Sequence, residues 1–433
     1  MGRAGPRCLS PVPWHPKDPM AALQPVRGTH DLLPDAARAH RAVEQRAFDV
    51  ARRFGFGEIV TPIFEFTEVF KRTLGDTSDI VTKEMYTFED RGGESLTLRP
   101  EGTAAIVRAF ISGGLAQQVP VKAFYRGPMF RYERPQKGRQ RQFHQVGIEI
   151  LGVEGPAADV EVITCGYHIL EALGLGGTVT VEVNTLGDLE SRAVYREALV
   201  AYLKGRQGEL SEDSLARLER NPMRILDSKD EGDRAVVADA PILADHLNDT
   251  SRDFFARVRD GLSALNIPVE ISPRLVRGLD YYTHTAFEFT TTALGAQGTV
   301  LAGGRYDGLV KQMGGPPTPG VGWAAGVERL SMLMTDPPPA PRPIAMVPAG
   351  AEADALALPL TDRLRRAGFA VDLGYSGNMG KRMKRANKVN ARAAVILGDE
   401  ELAAGEATVR DLDSGEQTRV RLNAVERALD RFR

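Results

Sequence analysis

The stretch spanning residues 121–154, VKAFYRGPMFRYERPQKGRQRQFHQVGIEILGVE, constrains the chain more than any other. Its alternation predicts a strand, a charged turn and a second strand. In the first strand Met129, Arg131 and Glu133 fall on one face. In the second, Phe143, Gln145, Gly147 and Glu149 share one face, and Val146, Ile148 and Ile150 share the other. The Val/Ile face can pack on a core. The opposite face offers an arginine, a glutamine and two carboxylates around a glycine gap. Such a polar face on a two-stranded ribbon is ordinarily just solvated. The turn adds Arg134, Lys137, Arg139 and Arg141, a density of cations that suits a polyanion.

At 433 residues the chain is long enough for two or three domains with full cores. A net charge of −2 excludes a wholesale polybasic binder, so any nucleic-acid surface must be local. Cys8 and Cys165 make neither a disulfide framework nor a zinc site, and they suggest a reducing compartment. No run approaches 18 apolar residues, so no membrane partner is expected. Residues 1–21 hold three prolines between positions 11 and 16 and no apolar h-region. They are expected to be a disordered N-terminal extension, with Met20 as the physiological start.

From Asp35 to Phe54 the apolar spacing predicts a helix, and FGEIVTPIFE after it reads as a strand closed by Pro62. MYTFED and SLTLRP read as a hairpin around Arg91-Gly92-Gly93. Glu101-Gly102-Thr103 opens a helix, where Glu101 either complements the helix dipole or holds a substrate ammonium. From about 188 to 270 the texture becomes charged and rich in Leu and Ala, predicting a helical insertion with no constellation assignable to chemistry. Strand texture returns with LVRGLDYYTHTAFEFTT and ALGAQGTVLAGGRYDGLV, then VGWAAGVERLSMLM runs from strand into helix.

Residues 336–343 form a proline-rich, extended linker. Beyond it, strands and helices alternate over 344–433, predicting a small α/β domain with a mixed sheet. Residues 342–433 carry a net charge of +3, leaving −5 on the rest. Lys381, Lys384, Arg385, Lys388 and Arg392 are spaced to share one helical face, with Met383, Ala386 and Val389 off it. A basic helix face is commonly just solvated, but no acid interrupts 381–398, which favours a phosphate-facing surface.

No GxxxxGK[ST] loop occurs, and Gly174–Gly177 precedes a strand-like TVTVEV, so neither a P-loop nor a Rossmann fingerprint is present. RGTHDLLP, LTLRPEGTA, FRYERPQKGRQRQFHQVGIE, RGLDYYT, LAGGRYDGL and AAGVERL occur in this order and together resemble the histidyl-tRNA synthetases, within the class II aminoacyl-tRNA synthetases. The resemblance covers about residues 22–425. It implies an α+β fold: a class II catalytic domain over 22–335, built on an antiparallel sheet with the insertion inside it, plus a C-terminal α/β anticodon-binding domain. It also implies a helix-and-strand dimer element ending at Pro62, a homodimer, and a cytoplasmic location.

The implied reaction is attack of the histidine carboxylate on the α-phosphorus of ATP, followed by transfer to the 3′ end of tRNA(His). Such a site must align reactants and stabilise phosphate charge, which suits the forked, permanently charged arginine. By resemblance Arg131 is expected on the α-phosphate, with Glu133 at the ATP site, and Arg329 near the γ-phosphate. Near a helix start Arg329 opposes the dipole, a poor choice for stability and a better one for anion binding. Arg277 is expected opposite Arg131, where other class II enzymes use a metal ion; these two are the catalytic candidates. Histidine is expected to contact Glu149, Tyr281, Tyr282 and Arg277 on its ring and carboxylate side. Glu101, Gly102, Thr103 and Gln145 are expected around its amino group.

Lys381, Lys384, Arg385 and Lys388 are the tRNA candidates, and the insertion is expected near the acceptor stem. ATP with Mg2+ enters as substrate; no prosthetic group and no dedicated metal ligands are expected. Two departures stand out. Trp323 replaces a more usual Phe and is expected to reshape the adenine site slightly, and Thr283-His284 follow the Tyr pair in place of Asn-Arg or Thr-Gly. Two rivals share the pattern: the histidine-binding regulatory subunit of ATP phosphoribosyltransferase, and a synthetase-like enzyme acting on something other than tRNA. All three arginines and the basic C-terminal domain speak against the first, and that domain speaks less decisively against the second.

Overall fold

The computed structural model describes residues 23–433 except 75–79, 137, 229, 277–280 and 296–297. The expectations for residues 1–21, Lys137 and Arg277 therefore lie outside the described residues. The chain divides into two compact units, one ending at Pro338 and the other spanning Pro339–Arg433.

The strands of the first unit are, in chain order, β1 Gly57–Glu58, β2 Phe64–Phe66, β3 Tyr86–Glu89, β4 Ser95–Leu98, β5 Val121–Phe130, β6 Gln142–Leu151, β7 Thr180–Thr185, β8 Glu270–Ile271, β9 Thr283–Thr290, β10 Thr299–Arg305 and β11 Gly320–Gly326. Eight of them make one sheet in the order β1-β5-β6-β11-β10-β9-β7-β8. Its interior pairings are antiparallel, and only the edge pairs β1/β5 and β7/β8 are parallel. β2, β4 and β3 form a small separate sheet that includes the expected hairpin. This is the α+β architecture with an antiparallel sheet that the sequence implies.

The Val146/Ile148/Ile150 face of β6 packs, as its pattern dictates, into a core shared with the helices Pro34–Arg53 and Ala157–Ala172. The opposite face is not the solvated surface its polarity suggests. Glu149 is fully buried there, and Tyr125 and Met129 of β5 join a second core with the helix Thr103–Ser112. A layer supplied by distant segments covers this face, so the ribbon alternates between two interiors.

Three local expectations change. FGEIVTPIFE is not one strand: it breaks into β1 and β2 around Pro62, which has no N–H to donate to a ladder. β5 ends at Phe130, so Arg131 and Glu133 lie just past it, where strand alternation no longer sets their directions. Tyr281 and Tyr282 precede β9 and likewise escape alternation.

Among the described residues between β7 and β8 lie four α-helices, Leu189–Lys204, Glu212–Arg220, Glu231–Ala238 and Asp249–Ala264. The insertion has its own apolar cluster around Tyr195, Leu199, Ile225 and Val236. It also holds a buried carboxylate, Asp233, which accepts from the hydroxyls of Ser211, Ser214 and Ser228.

In the second unit, β12 Ile344–Pro348, β13 Val371–Leu373, β14 Ala393–Leu397, β15 Glu406–Asp411 and β16 Gln417–Arg421 form a mixed sheet in the order β13-β12-β14-β15-β16. IAMVP and AAVIL are buried at every position, as central strands covered on both faces must be. The helix Met379–Lys388 starts at an Asn378 cap whose side chain accepts from Lys381 N. Lys381, Lys384, Arg385 and Lys388 are exposed on it, and Ala386 is buried. Arg392 is not on that helix. The chain turns at Asn390, with φ of 51°, and the Arg392 guanidinium donates to the carbonyls of Phe432 and Arg433. Arg385 is also less free than its spacing suggests, because Asp372 pairs with it at 2.7 Å.

Candidate active site

A cavity of about 450 Å³ opens on the polar face of the large sheet. Of the sequence-selected residues, Glu101, Thr103, Arg131, Glu133, Gln145, Tyr281, Tyr282 and Arg329 line it. They come from the start of one helix, the end of β5, the middle of β6, the approach to β9 and the helix after β11. No single segment could build this wall.

One set of groups is carboxylate, amide and phenol. Both Glu101 oxygens accept from the start of the helix Thr103–Ser112, Oε2 from Thr103 N at 2.7 Å and Oε1 from Ala104 N at 2.8 Å. Glu101 thus serves the helix start, and each of its oxygens keeps a second acceptor site. Burial pushes its carboxyl above the ordinary value, against those two N–H groups and the Arg131 charge. Thr103 Oγ1 donates to Glu149 Oε1 at 2.7 Å, and Tyr306 Oη donates to Glu149 Oε2 at 2.5 Å. Glu149 lies beneath the cavity wall, where burial raises its pKa to about 8. Gln145 Oε1 is buried without a hydrogen-bond partner, an acceptor in the wall of a polar cavity. The rings of Tyr281 and Tyr282 lie 4.7 Å apart, and Tyr281 meets Tyr306 edge-on at 5.8 Å.

Glycine makes this packing possible. A Cβ on Gly102 or Gly147 would fall 2.1 or 2.3 Å from the Tyr125 ring, and one on Gly322 only 1.7 Å from Glu149 Oε2. Gly102 therefore acts by letting Tyr125 in.

The other set is cationic. Arg131 Nε donates to the Pro100 carbonyl at 2.8 Å, and the Phe143 ring lies 5.4 Å from its guanidinium carbon. Glu133 pairs with Arg139 at 3.1 Å and lies 3.8 Å from Arg131. Arg329 donates to the carbonyls of Gly138 and Thr299. Its pKa is lowered, first by burial and then by the charge of Arg139, with Arg131 adding and Glu133 opposing. Gathering these arginines around one cavity is unfavourable unless an anion shares it, which is what a polyphosphate supplies.

A family model described as histidyl-tRNA synthetase matches residues 28–330, and one described as an anticodon binding domain matches 344–431. The chain belongs to the histidyl-tRNA synthetase family. It is 70% identical over 414 residues to the histidine–tRNA ligase of Rhodospirillum rubrum, a match covering 95% of this chain and all of that one. To the histidine–tRNA ligase of Gluconacetobacter diazotrophicus it is 55% identical over 406 residues, covering 94% and 98% of the two chains. The apo S. aureus histidyl-tRNA synthetase superposes with a TM-score of 0.80 at 34% identity, over 94% of this chain and 99% of that one. A Bacillus halodurans C structure titled ATP phosphoribosyltransferase regulatory subunit/histidyl-tRNA synthetase has the same fold at 22% identity, with a TM-score of 0.63 over 87% and 98%. Fold alone therefore does not separate enzyme from regulator; the high identity along nearly the whole chain favours the synthetase.

Seen as a synthetase, the site holds residues that sequence reasoning left without a role. Tyr306, inside LAGGRYDGL, closes over Glu149. Glu328 accepts from both His144 N and His144 Nδ1, each at 2.9 Å, and so pins the helix carrying Arg329 to β6. The only sequence signal for that pair was adjacency, His144 beside Gln145 and Glu328 beside Arg329. Trp323 lines the cavity, while its indole is buried in the core behind the sheet and donates to the Val162 carbonyl at 2.9 Å. His284 is half-buried and stacks on Phe254 of the insertion, with centroids 4.5 Å apart. Among the described residues, no helix is long and apolar enough to cross a membrane.

Proposed function

We propose that this chain is a histidine–tRNA ligase that activates L-histidine with ATP·Mg2+ and transfers it to the 3′ end of tRNA(His). One cavity brings Arg131 and Arg329 together with Glu101, Gln145, Tyr281 and Tyr282, and this juxtaposition carries the reading. An oxygen of the histidine carboxylate attacks the α-phosphorus, the bond to the bridging oxygen breaks, and pyrophosphate leaves. Arg131, held by Pro100, faces the α-phosphate and Arg329 the outer phosphates, while Glu133 orients the arginines and the nucleotide. Arg277 sits across from Arg131 in this scheme and adds charge stabilisation there.

Gln145 Oε1, lacking a partner, and the second acceptor sites of Glu101 take the α-ammonium, with Thr103 beside them. Tyr281, Tyr282 and Glu149 read the imidazole, which requires both a donor and an acceptor. A terminal ribose hydroxyl of tRNA then attacks the carbonyl carbon, AMP leaves, and the adenylate phosphate takes the proton. Lys381, Lys384, Arg385 and Lys388 face tRNA phosphates. Val60, Phe64, Phe66 and Phe88 are exposed apolar side chains on or beside β2–β4, which suits burial against a second copy in a cytoplasmic homodimer.

The test is charging of tRNA(His) with labelled histidine. The reading expects ATP-dependent charging by the wild type and a loss of about 100-fold in Arg131→Ala. Histidine binding with no charging and no pyrophosphate release would give the chain to the regulatory reading.

A further inference from the structure

We propose that Arg192 and Arg274 are positioning residues through which the helical insertion sets the histidine pocket. The inference rests on the synthetase reading above and assigns work to a region whose sequence offered none.

The root of the insertion is tied down twice. Asp188 caps the helix Leu189–Lys204 by accepting from Ser191 N at 2.8 Å, and its other oxygen accepts from Asn248 Nδ2 at 2.7 Å. Asn248 in turn caps the helix Asp249–Ala264, accepting from Ser251 N at 2.9 Å, while its own N donates to Ser191 Oγ at 3.1 Å. Two helix starts therefore hold one another, and Arg192 projects from the first turn of the fixed helix. Its Nη1 donates to the Tyr282 carbonyl at 2.5 Å, and the residue is half-buried. Tyr282 is one of the tyrosines that line the cavity.

A second contact lies eight positions earlier in sequence. Both Nη atoms of Arg274 donate to the insertion, one to the Val237 carbonyl and one to the Ala238 carbonyl. These carbonyls end the helix Glu231–Ala238; that of Val237 also accepts from Ala240 N at 3.1 Å, and the forked guanidinium supplies a donor to both. Asn184, on β7 where it enters the insertion, donates to the carbonyls of Pro273 and Leu275 at 3.2 and 2.9 Å. Beyond the pocket, His284 stacks on Phe254, its N donates to the Gly187 carbonyl at 2.8 Å, and its carbonyl accepts from Leu186 N. Residues 273–275, ahead of the tyrosine pair, and His284, just after it, are thus held to the insertion or its root. β9, by contrast, begins only at Thr283 and gives Tyr281 and Tyr282 no ladder of their own.

Moving the insertion moves the backbone of Tyr282, so removing Arg192 should loosen the imidazole contacts and leave the phosphate-binding arginines in place. The experiment is ATP–pyrophosphate exchange with wild type, Arg192→Ala, Arg192→Lys and Arg274→Ala, varying histidine and ATP in turn. A charge-assisted hydrogen bond of this kind predicts a rise of about tenfold in the histidine KM of Arg192→Ala. The ATP KM should stay within about twofold, Arg192→Lys should recover most of the loss, and Arg274→Ala should shift the same constant. A histidine KM unchanged in Arg192→Ala, or equal rises for histidine and ATP, overturns the proposal. If Arg192→Ala does not fold by circular dichroism, Arg192→Gln replaces it under the same criteria. If the wild type shows no histidine-dependent exchange, the proposed function falls instead. The clamp is then judged by calorimetric histidine binding, where affinity unchanged in Arg192→Ala overturns it and a tenfold loss supports it.

Discussion

Replacing Glu149 with glutamine probes the most unusual group in the structure. Its carboxyl has no exposed surface, and each oxygen accepts one hydroxyl, from Thr103 and from Tyr306. Burial nevertheless dominates and raises its pKa from 4.5 to about 8. At 1.36 kcal/mol per unit, that shift corresponds to about 5 kcal/mol in favour of the protonated form. Because the folded pKa lies above the unfolded one, the stabilisation is complete below about pH 4.5 and disappears as pH rises through about 8. Glu149→Gln presents a neutral group of the same shape at every pH. The variant should match the wild type near pH 4, exceed its stability by about 2 kcal/mol at pH 6 and by at most about 5 kcal/mol at pH 9. Denaturant unfolding followed by the fluorescence of Trp323, buried in the same sheet, reads this difference. An infrared carbonyl band of a protonated acid should be present in the wild type at pH 6 and missing from the variant. Identical pH dependence in the two proteins, or no such band at pH 6, refutes the reasoning.

Arg329→Ala should lower kcat/KM for ATP in pyrophosphate exchange by about 100-fold while leaving equilibrium histidine binding nearly intact, since its contacts lie on the cationic side of the cavity. The Glu328 hydrogen bond raises the His144 pKa above 6.5, so their pairing stabilises the fold below that value and fades as pH climbs through the raised one. In Glu328→Gln the His144 titration followed by NMR should move to lower pH, and the stability difference from wild type should shrink at alkaline pH. Lys384→Ala and Lys388→Ala should each weaken tRNA binding and reduce the slope of log K against log salt by about one, read by filter binding over a salt series. An unchanged slope would make that helix face merely solvated.

Much of the fold is written in short-range pattern. The alternation of Val146, Ile148 and Ile150 fixes which side of β6 meets the helices, and Glu101-Gly102-Thr103 marks a helix start that the structure caps with the Glu101 carboxylate itself. What pattern could not supply is the partner across the sheet. Glu149 pairs with Gly322 and bonds Tyr306, more than 150 positions away, so nothing local distinguishes a buried acid from a solvated one. The same limit hid the Glu328–His144 bond and the reach of Arg192 to Tyr282. Helical spacing likewise put Arg392 among the surface lysines, although the left-handed turn at Asn390 had already ended the helix. The burial of the Trp323 indole was hidden for a related reason: a substitution inside a motif does not say which side of the strand its ring occupies.

Pyrophosphate exchange with each of the twenty amino acids in turn, for wild type and Arg277→Ala, tests the central claim most directly. The account predicts exchange with histidine alone and a loss of at least about 100-fold in the variant. Measurable histidine binding with no exchange for any amino acid would contradict it and leave a histidine sensor built on a synthetase fold.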